Sequence, residues 1–171
     1  LARTLAAACE GVAAITTAGD VRFGFGLDDP PPGWRIADPE PAKAVTAALL
    51  AGRPVALNVE AGDAAWLRSS SGIRFAAPGE AAAATVRITD RTPSHALSVD
   101  PKDLPTFVLH PPVLALGVGC ARDCPPDELI GLARSTLAGA GLTEGAVACV
   151  VSIDVKADEA AVHALADTLG V

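Results

Sequence analysis

The chain has 171 residues, half of them apolar and 19% charged, with 13 Lys and Arg against 20 Asp and Glu for a formal net charge of −7. That apolar content supports one sizeable core or two small ones and excludes a disordered chain. The acidic balance and dispersed basic residues exclude a nucleic-acid surface, and no apolar run approaches the roughly 20 residues a membrane crossing requires.

Residues 1–9 read as a helix and residues 11–15 as a short strand, followed by the polar loop Thr16-Thr17-Ala18-Gly19-Asp20. Pro30-Pro31-Pro32-Gly33 halts regular structure, and Asp38-Pro39-Glu40 opens a helix that runs to about Leu50, with Gly52 beyond its end. Residues 54–59 read as a strand. Residues 73–75 and 85–89 alternate as exposed edge strands do. Turns rich in Gly and Ser separate them, so this region reads as a small strand-rich insert of weak independent stability. A linker with Pro93, Pro101 and Pro105 leads to Phe107-Val108-Leu109-His110.

The last third has the clearest pattern. Residues 113–118 form a continuous apolar run, the mark of a strand buried on both faces. Pro125-Pro126-Asp127-Glu128 opens a helix through about Ala140, its acidic first turn suited to the positive end of the helix dipole. A second buried strand is expected over 146–155, and Asp158 is expected to cap a helix on which Val162, Leu165 and Leu169 share a face. This β-α-β-α order predicts an α/β protein with open, mostly parallel sheets and flanking helices, plus the strand-rich middle. The expected divisions are 1–52, 53–106 and 107–171. The chain starts within a helical pattern, contains no Met and stops after a helix of the kind that leads into another strand. It reads as a cytosolic piece, truncated at both ends.

In open parallel sheets, ligands collect at the carboxyl ends of the strands. Three segments put polar residues there: Thr16-Thr17 with Asp20, Gly117-x-Gly119-Cys120 with Arg122, and Asp154-x-Lys156 with Asp158 and Glu159. A strand period of two places Asp154 and Lys156 on one face and Val151, Ile153 and Val155 on the other. Lys156 then meets an anionic ligand group while Asp154 or Glu159 orients it or moves a proton. The same residues also fit a local ion pair with a helix cap. Gly117 and Gly119 lack the third glycine of a dinucleotide fingerprint, so a tight turn whose amides and Arg122 face an acidic ligand is the better account. Thr16 and Thr17 also fit simple satisfaction of backbone groups. His163, flanked by Glu159 and Asp167 at helix spacing, reads as a solvated face. Cys9, Cys120, Cys124 and Cys149 read as small apolar residues, because two close thiols without histidines make no zinc site.

Three stretches together resemble the CbiG/CobE proteins of cobalamin biosynthesis. They are LARTLAAACEGVAAITTAGDV at the start, then LALGVGCARDCPPDELIGLARSTLAGAGL and VVSIDVKADEAAVHALADTLGV near the end. The resemblance spans the whole chain and is weakest in the middle third. It matches Thr16, Thr17 and Asp20 to the family's first motif, Gly117, Gly119, Cys120 and Arg122 to its second, and Asp154, Lys156, Asp158 and Glu159 to its third. Ala121, Asp123 and Cys124 depart from an Arg, a Gly and a Thr usual in the second motif.

The resemblance implies hydrolysis of the δ-lactone of cobalt-precorrin-5A, releasing acetaldehyde and giving cobalt-precorrin-5B. Lys156, Asp154 and Glu159 would be catalytic, and Thr16, Thr17, Asp20, Gly117, Gly119, Cys120 and Arg122 would bind the substrate. Cobalt arrives within that tetrapyrrole, so no cofactor or protein-held metal is implied. A fused or associated precorrin methyltransferase and a homodimer are compatible partners, with no nucleic acid and no membrane. The alternative is a CobE-like module that binds a corrinoid without chemistry.

Overall fold

A computed structural model describes residues 2–12, 22–92 and 104–171. Helix α1 (Ala2–Ala8) appears where the opening pattern predicts it, whereas the strand expected over 11–15 lies mostly outside the described residues.

Among the described residues six strands form two sheets. The first has the order β1 (Arg35–Ile36), β4 (Thr106–His110), β3 (Ala84–Ile88), β2 (Val55–Val59). Strands β2, β3 and β4 are parallel, with Val55 opposite Ala84 and Val86 opposite Phe107, while β1 runs antiparallel with Arg35 opposite His110. Helix α2 (Ala42–Leu50) packs on these strands through Val45, Ala48 and Leu49, the i, i+3, i+4 stripe of an amphipathic helix. The short α3 (Ala65–Arg68) sets Trp66 edge-on against Phe25 and Trp34, at ring separations of 5.1 and 5.6 Å. Val55, Leu67, Val86, Ile88, Phe107 and Leu109 complete this core.

The second sheet pairs β5 (Leu114–Gly117) with β6 (Val147–Val151) in parallel. Helices α4 (Pro126–Gly139) and α5 (Ala160–Leu169) pack together over it, burying Leu129, Ala133 and Leu137 against Ala161, Leu165 and Leu169. Pairing slips between Leu114 and Ala115, so Leu114 faces Val147 while Leu116 faces Val150. That irregularity lets both valines join the helical core. The result is the mixed α/β architecture with mostly parallel sheets and flanking helices that the sequence predicts.

Several expectations need correction. Strand β3 is no exposed edge: it lies between two parallel neighbours and is buried along its whole length. Its alternating polar residues lie inside the protein, where Arg87 forms an ion pair with Glu60 at 3.7 Å. Residues 73–75 form no strand, only a bridge from Phe75 to Val55. Strand β5 is covered on one face only, with Ala115 and Gly117 exposed. The divisions also shift. Strand β1, helix α2 and strands β2–β4 share one sheet and core, so no break falls at 52/53. The break lies at Pro111-Pro112 instead of 106/107, because Thr106–His110 belongs to the first sheet.

Two arginines of the first unit reach the helix ends of the second. Arg35 donates to the carbonyls of Leu169 and Gly170, where Gly170 ends α5 in the left-handed conformation. Arg91 donates to Ala140 at the end of α4, and Thr143 N–H donates to the Asp90 carbonyl at 2.9 Å. Cations there satisfy orphan carbonyls and oppose the negative end of each helix dipole. Buried His110 donates from Nδ1 to the Thr89 carbonyl at 2.7 Å and packs beside Gly145 of the second unit. Gly62 closes the same seam: its φ is +71°, and a Cβ there would lie 2.8 Å from Pro111 Cβ.

Gly62→Ala therefore combines left-handed strain with overpacking against a rigid ring, and should destabilise the chain by about 2 kcal/mol or more. Urea unfolding checks this. An unchanged midpoint would show that the Pro111 segment yields freely.

Candidate functional site

Strands β5 and β6 are parallel, so the turns that follow them emerge at the same edge of the sheet. The first turn, residues 118–125, leads into α4; the second, residues 152–159, leads into α5. The backbone starts their union: Val118 N–H donates to the Val151 carbonyl at 2.9 Å, and the Ser152 hydroxyl donates to the Val118 carbonyl at 2.8 Å. Ser152 carried no signal in the sequence beyond its place at a strand end.

Side chains complete the union around Glu159, which is only 3% exposed. Its carboxylate accepts from Lys156 Nζ at 3.0 Å, and Arg122 Nη1 lies 3.9 Å away. Asp123 has a left-handed φ of 59°, which belongs to the tight turn between Arg122 and α4. Arg122 donates from Nη1 to Asp158 at 2.8 Å and from Nη2 to the Val155 carbonyl at 3.2 Å.

These contacts revise the predicted geometry. Strand β6 stops at Val151, and Asp154–Lys156 forms a 3-10 turn, so Asp154 and Lys156 do not share a strand face. The buried carboxylate explains the change: closing the chain back to place Glu159 under Lys156 requires a turn where an extended strand would overshoot. Asp158 does not cap α5. The N-cap position is Glu159, which makes no side-chain cap hydrogen bond, and Asp158 is committed to Arg122. Asp154 is exposed and stands outside these ion pairs.

Thr16, Thr17 and Asp20 lie outside the described residues. The remaining predicted residues are brought together. Gly117 and Gly119 lead into the first turn. Cys120 and Arg122 line a 260 Å³ cavity between that turn and the start of α4, with Cys124 and Glu128. A 120 Å³ groove beside Leu116 and Ala133 continues from it, sharing Gly119, Leu129 and Leu132. A separate 540 Å³ cavity in the first unit, between Phe23–Asp28 and α2, contains none of the predicted residues. Cys9 and Cys149 are exposed rather than packed as small apolar residues, and all four thiols are free. His163 donates from Nε2 to the Ala157 carbonyl at 2.7 Å, so it braces the second turn as well as facing solvent.

The electrostatics follow the contacts. The Lys156 hydrogen bond holds the Glu159 carboxyl below its ordinary value, against the opposing effect of burial. Arg122 does the same to Asp158 by hydrogen bonding, and Asp158 in turn raises Arg122. Burial, then the neighbouring Cys120 and Glu128, push the Cys124 thiol upward, which keeps it protonated and a poor nucleophile. Both turns together carry two cations against four carboxylates: Asp123, Asp154, Asp158 and Glu159.

A lowered carboxyl contributes stability above its unfolded value and loses it as pH falls through the folded one. The clasp at Glu159 should thus be intact from pH 7 to 5 and weaken only below the ordinary glutamate value of 4.5. Amide NMR shifts of residues 119–124 and 154–159 should stay flat above that point and move beneath it. In Glu159→Gln the Lys156 amide should lose this transition. Movement of the wild-type Lys156 amide between pH 7 and 5 would contradict the assignment.

Comparison with known proteins places these two units. Residues 31–111 match the family model for the cobalamin biosynthesis central region, and residues 114–171 match that for the cobalamin synthesis G C-terminus. The matched ranges meet at Pro112 and Val113, beside the break between the two sheets. Protein CobE from Sinorhizobium sp is 43% identical over 58 residues, which are 34% of this chain and 38% of that protein. A solved structure of a cobalamin biosynthesis protein G homologue from Sulfolobus solfataricus is 17% identical. It covers 99% of this chain and 46% of its own, with a TM-score of 0.31, a likeness too slight to bear on the fold. The chain spans less than half the length of both relatives. With family models matching both of its units in order, the chain belongs to the CbiG/CobE family of cobalamin biosynthesis proteins.

Proposed function

We propose that this chain opens the δ-lactone of cobalt-precorrin-5A, releasing acetaldehyde and leaving cobalt-precorrin-5B. The observation that carries this reading is the clasp at the sheet edge, where Glu159 holds Lys156 and the neighbouring Arg122 lines a mixed cavity that continues into an apolar groove. A cobalt tetrapyrrole has the matching character, with an apolar ring face and a rim of carboxylates. Leu129 and Leu132 would meet the ring, and Arg122 a rim carboxylate.

Lactone hydrolysis needs an activated water and a donor for the oxyanion that develops on the carbonyl oxygen. Lys156 is the group best suited to that oxyanion, since its side chain is 13% exposed and its direction is set by Glu159. Glu159, being buried, serves as the positioning residue for Lys156. Asp154 is the exposed carboxylate on the same turn and the candidate to take the proton from water. Amides of the first turn, between Gly119 and Cys124, supply further donors. Cobalt enters as part of the substrate.

A second reading is a module that binds a corrinoid without changing it. Two observations favour it: the 58-residue match to Protein CobE, and the pairing of both cations with protein carboxylates.

Incubation with cobalt-precorrin-5A separates the readings, with acetaldehyde release assayed beside the visible spectrum of the tetrapyrrole. The hydrolase reading expects acetaldehyde, reduced more than about tenfold in Lys156→Ala with the fold intact. Wild-type turnover in that variant would remove Lys156 from the mechanism. A spectral titration without acetaldehyde would select the binding module.

A further inference from the structure

Arg122 is the sole cation lining the 260 Å³ cavity among the described residues, and a carboxylate already occupies it. We infer that Asp158 is an internal stand-in for a ligand carboxylate: it sits on the Arg122 guanidinium in the free protein and is displaced when a tetrapyrrole acid binds. The inference rests on the corrinoid reading above and adds a specificity-determining residue to it.

The two terminal nitrogens of Arg122 are held differently. Nη2 donates to the Val155 carbonyl at 3.2 Å, a main-chain acceptor fixed by the second turn, and this bond does not depend on Asp158. Nη1 lies 3.9 Å from the buried Glu159 and donates to Asp158, which contributes a single oxygen at 2.8 Å from a side chain that is 79% exposed. Such a pair is weakly held, because water screens it and a free side chain loses rotamer entropy in making it. Asp158 also has no structural duty to abandon, since it does not cap α5. Its release leaves the Lys156–Glu159 clasp standing. A ligand carboxylate arriving from the cavity can use the fork of the guanidinium, and its ring gains contact with Leu129 and Leu132.

An internal carboxylate sets a threshold. Amide side chains lack the charge to displace Asp158, so the site favours a corrinoid with free acids over one already amidated. An acidic protein thus binds an acidic ligand by exchanging one carboxylate for another at the cation, with the Asp158 carboxylate released to water.

The test titrates the chain with cobyrinic acid, a cobalt corrinoid with free carboxylates, and with cobinamide, whose side chains are amides, at fixed ionic strength. Asp158→Asn should tighten cobyrinic acid about two- to fivefold and leave cobinamide unchanged. Arg122→Gln should weaken cobyrinic acid about fivefold or more, and Arg122→Lys, which retains the charge but not the fork, should fall between. In the Arg122→Gln background, Asp158→Asn should have no effect on affinity. Equal tightening in that background would reduce the effect to general charge and overturn the inference, as would no tightening in the wild-type background. Wild-type binding of cobyrinic acid that is indifferent to Arg122 overturns the inference and leaves the corrinoid reading standing. Failure of the unsubstituted chain to bind either corrinoid overturns both.

Discussion

The buried carboxylate of Glu159 is the constraint around which the sheet edge is organised. A carboxylate taken from water must find charged partners, and here they come from both turns: Lys156 bonds it from its own, and Arg122 of the other lies 3.9 Å away. Satisfying it ends β6 early, winds Asp154–Lys156 into a 3-10 turn and brings Arg122 over Asp158. The Lys156 ammonium then has one direction instead of many. A long, flexible side chain becomes a positioned charge because a shorter buried one anchors it.

A second set of contacts allows that edge to exist. Two strands and two helices form a small unit whose sheet is covered on one face, and such a unit needs external support. Arg35 and Arg91 provide it at the carboxyl ends of α5 and α4, opposite the turns that carry the candidate site. Cations of the first unit thus stabilise the same helices whose amino ends border the cavity. The seam at Gly62, His110 and Gly145 is too close for larger side chains, so the arginines act across a packed junction and not across a loose linker.

The chemistry of the site is shaped by the acidity of the whole chain. With a net charge of −7, its few cations near the cavity are met by protein carboxylates before any ligand arrives. Exposure separates the two pairs. Lys156 and Glu159 are withdrawn from solvent, whereas Arg122 and Asp158 are open to it. That difference gives one cation a fixed orientation and leaves the other pair screened by water.

Much of this was legible residue by residue. The apolar run at 113–118, the Pro-Asp-Glu start of α4 and the 3.6-residue spacing of Leu165 and Leu169 determined a parallel α/β unit with its polar turns at one edge. They did so because local periodicity and capping chemistry depend only on neighbours in the chain. Tertiary structure decided which charges pair. Period two could not reveal that Glu159 would be buried and pull the chain out of its strand, nor that Asp158 would serve Arg122, 36 residues away, instead of its own helix. It also decided that the alternating residues of β3 are interior, because Arg87 meets Glu60 across the sheet. Burial and ion pairing depend on what arrives from distant segments, and only the folded chain brings those segments together.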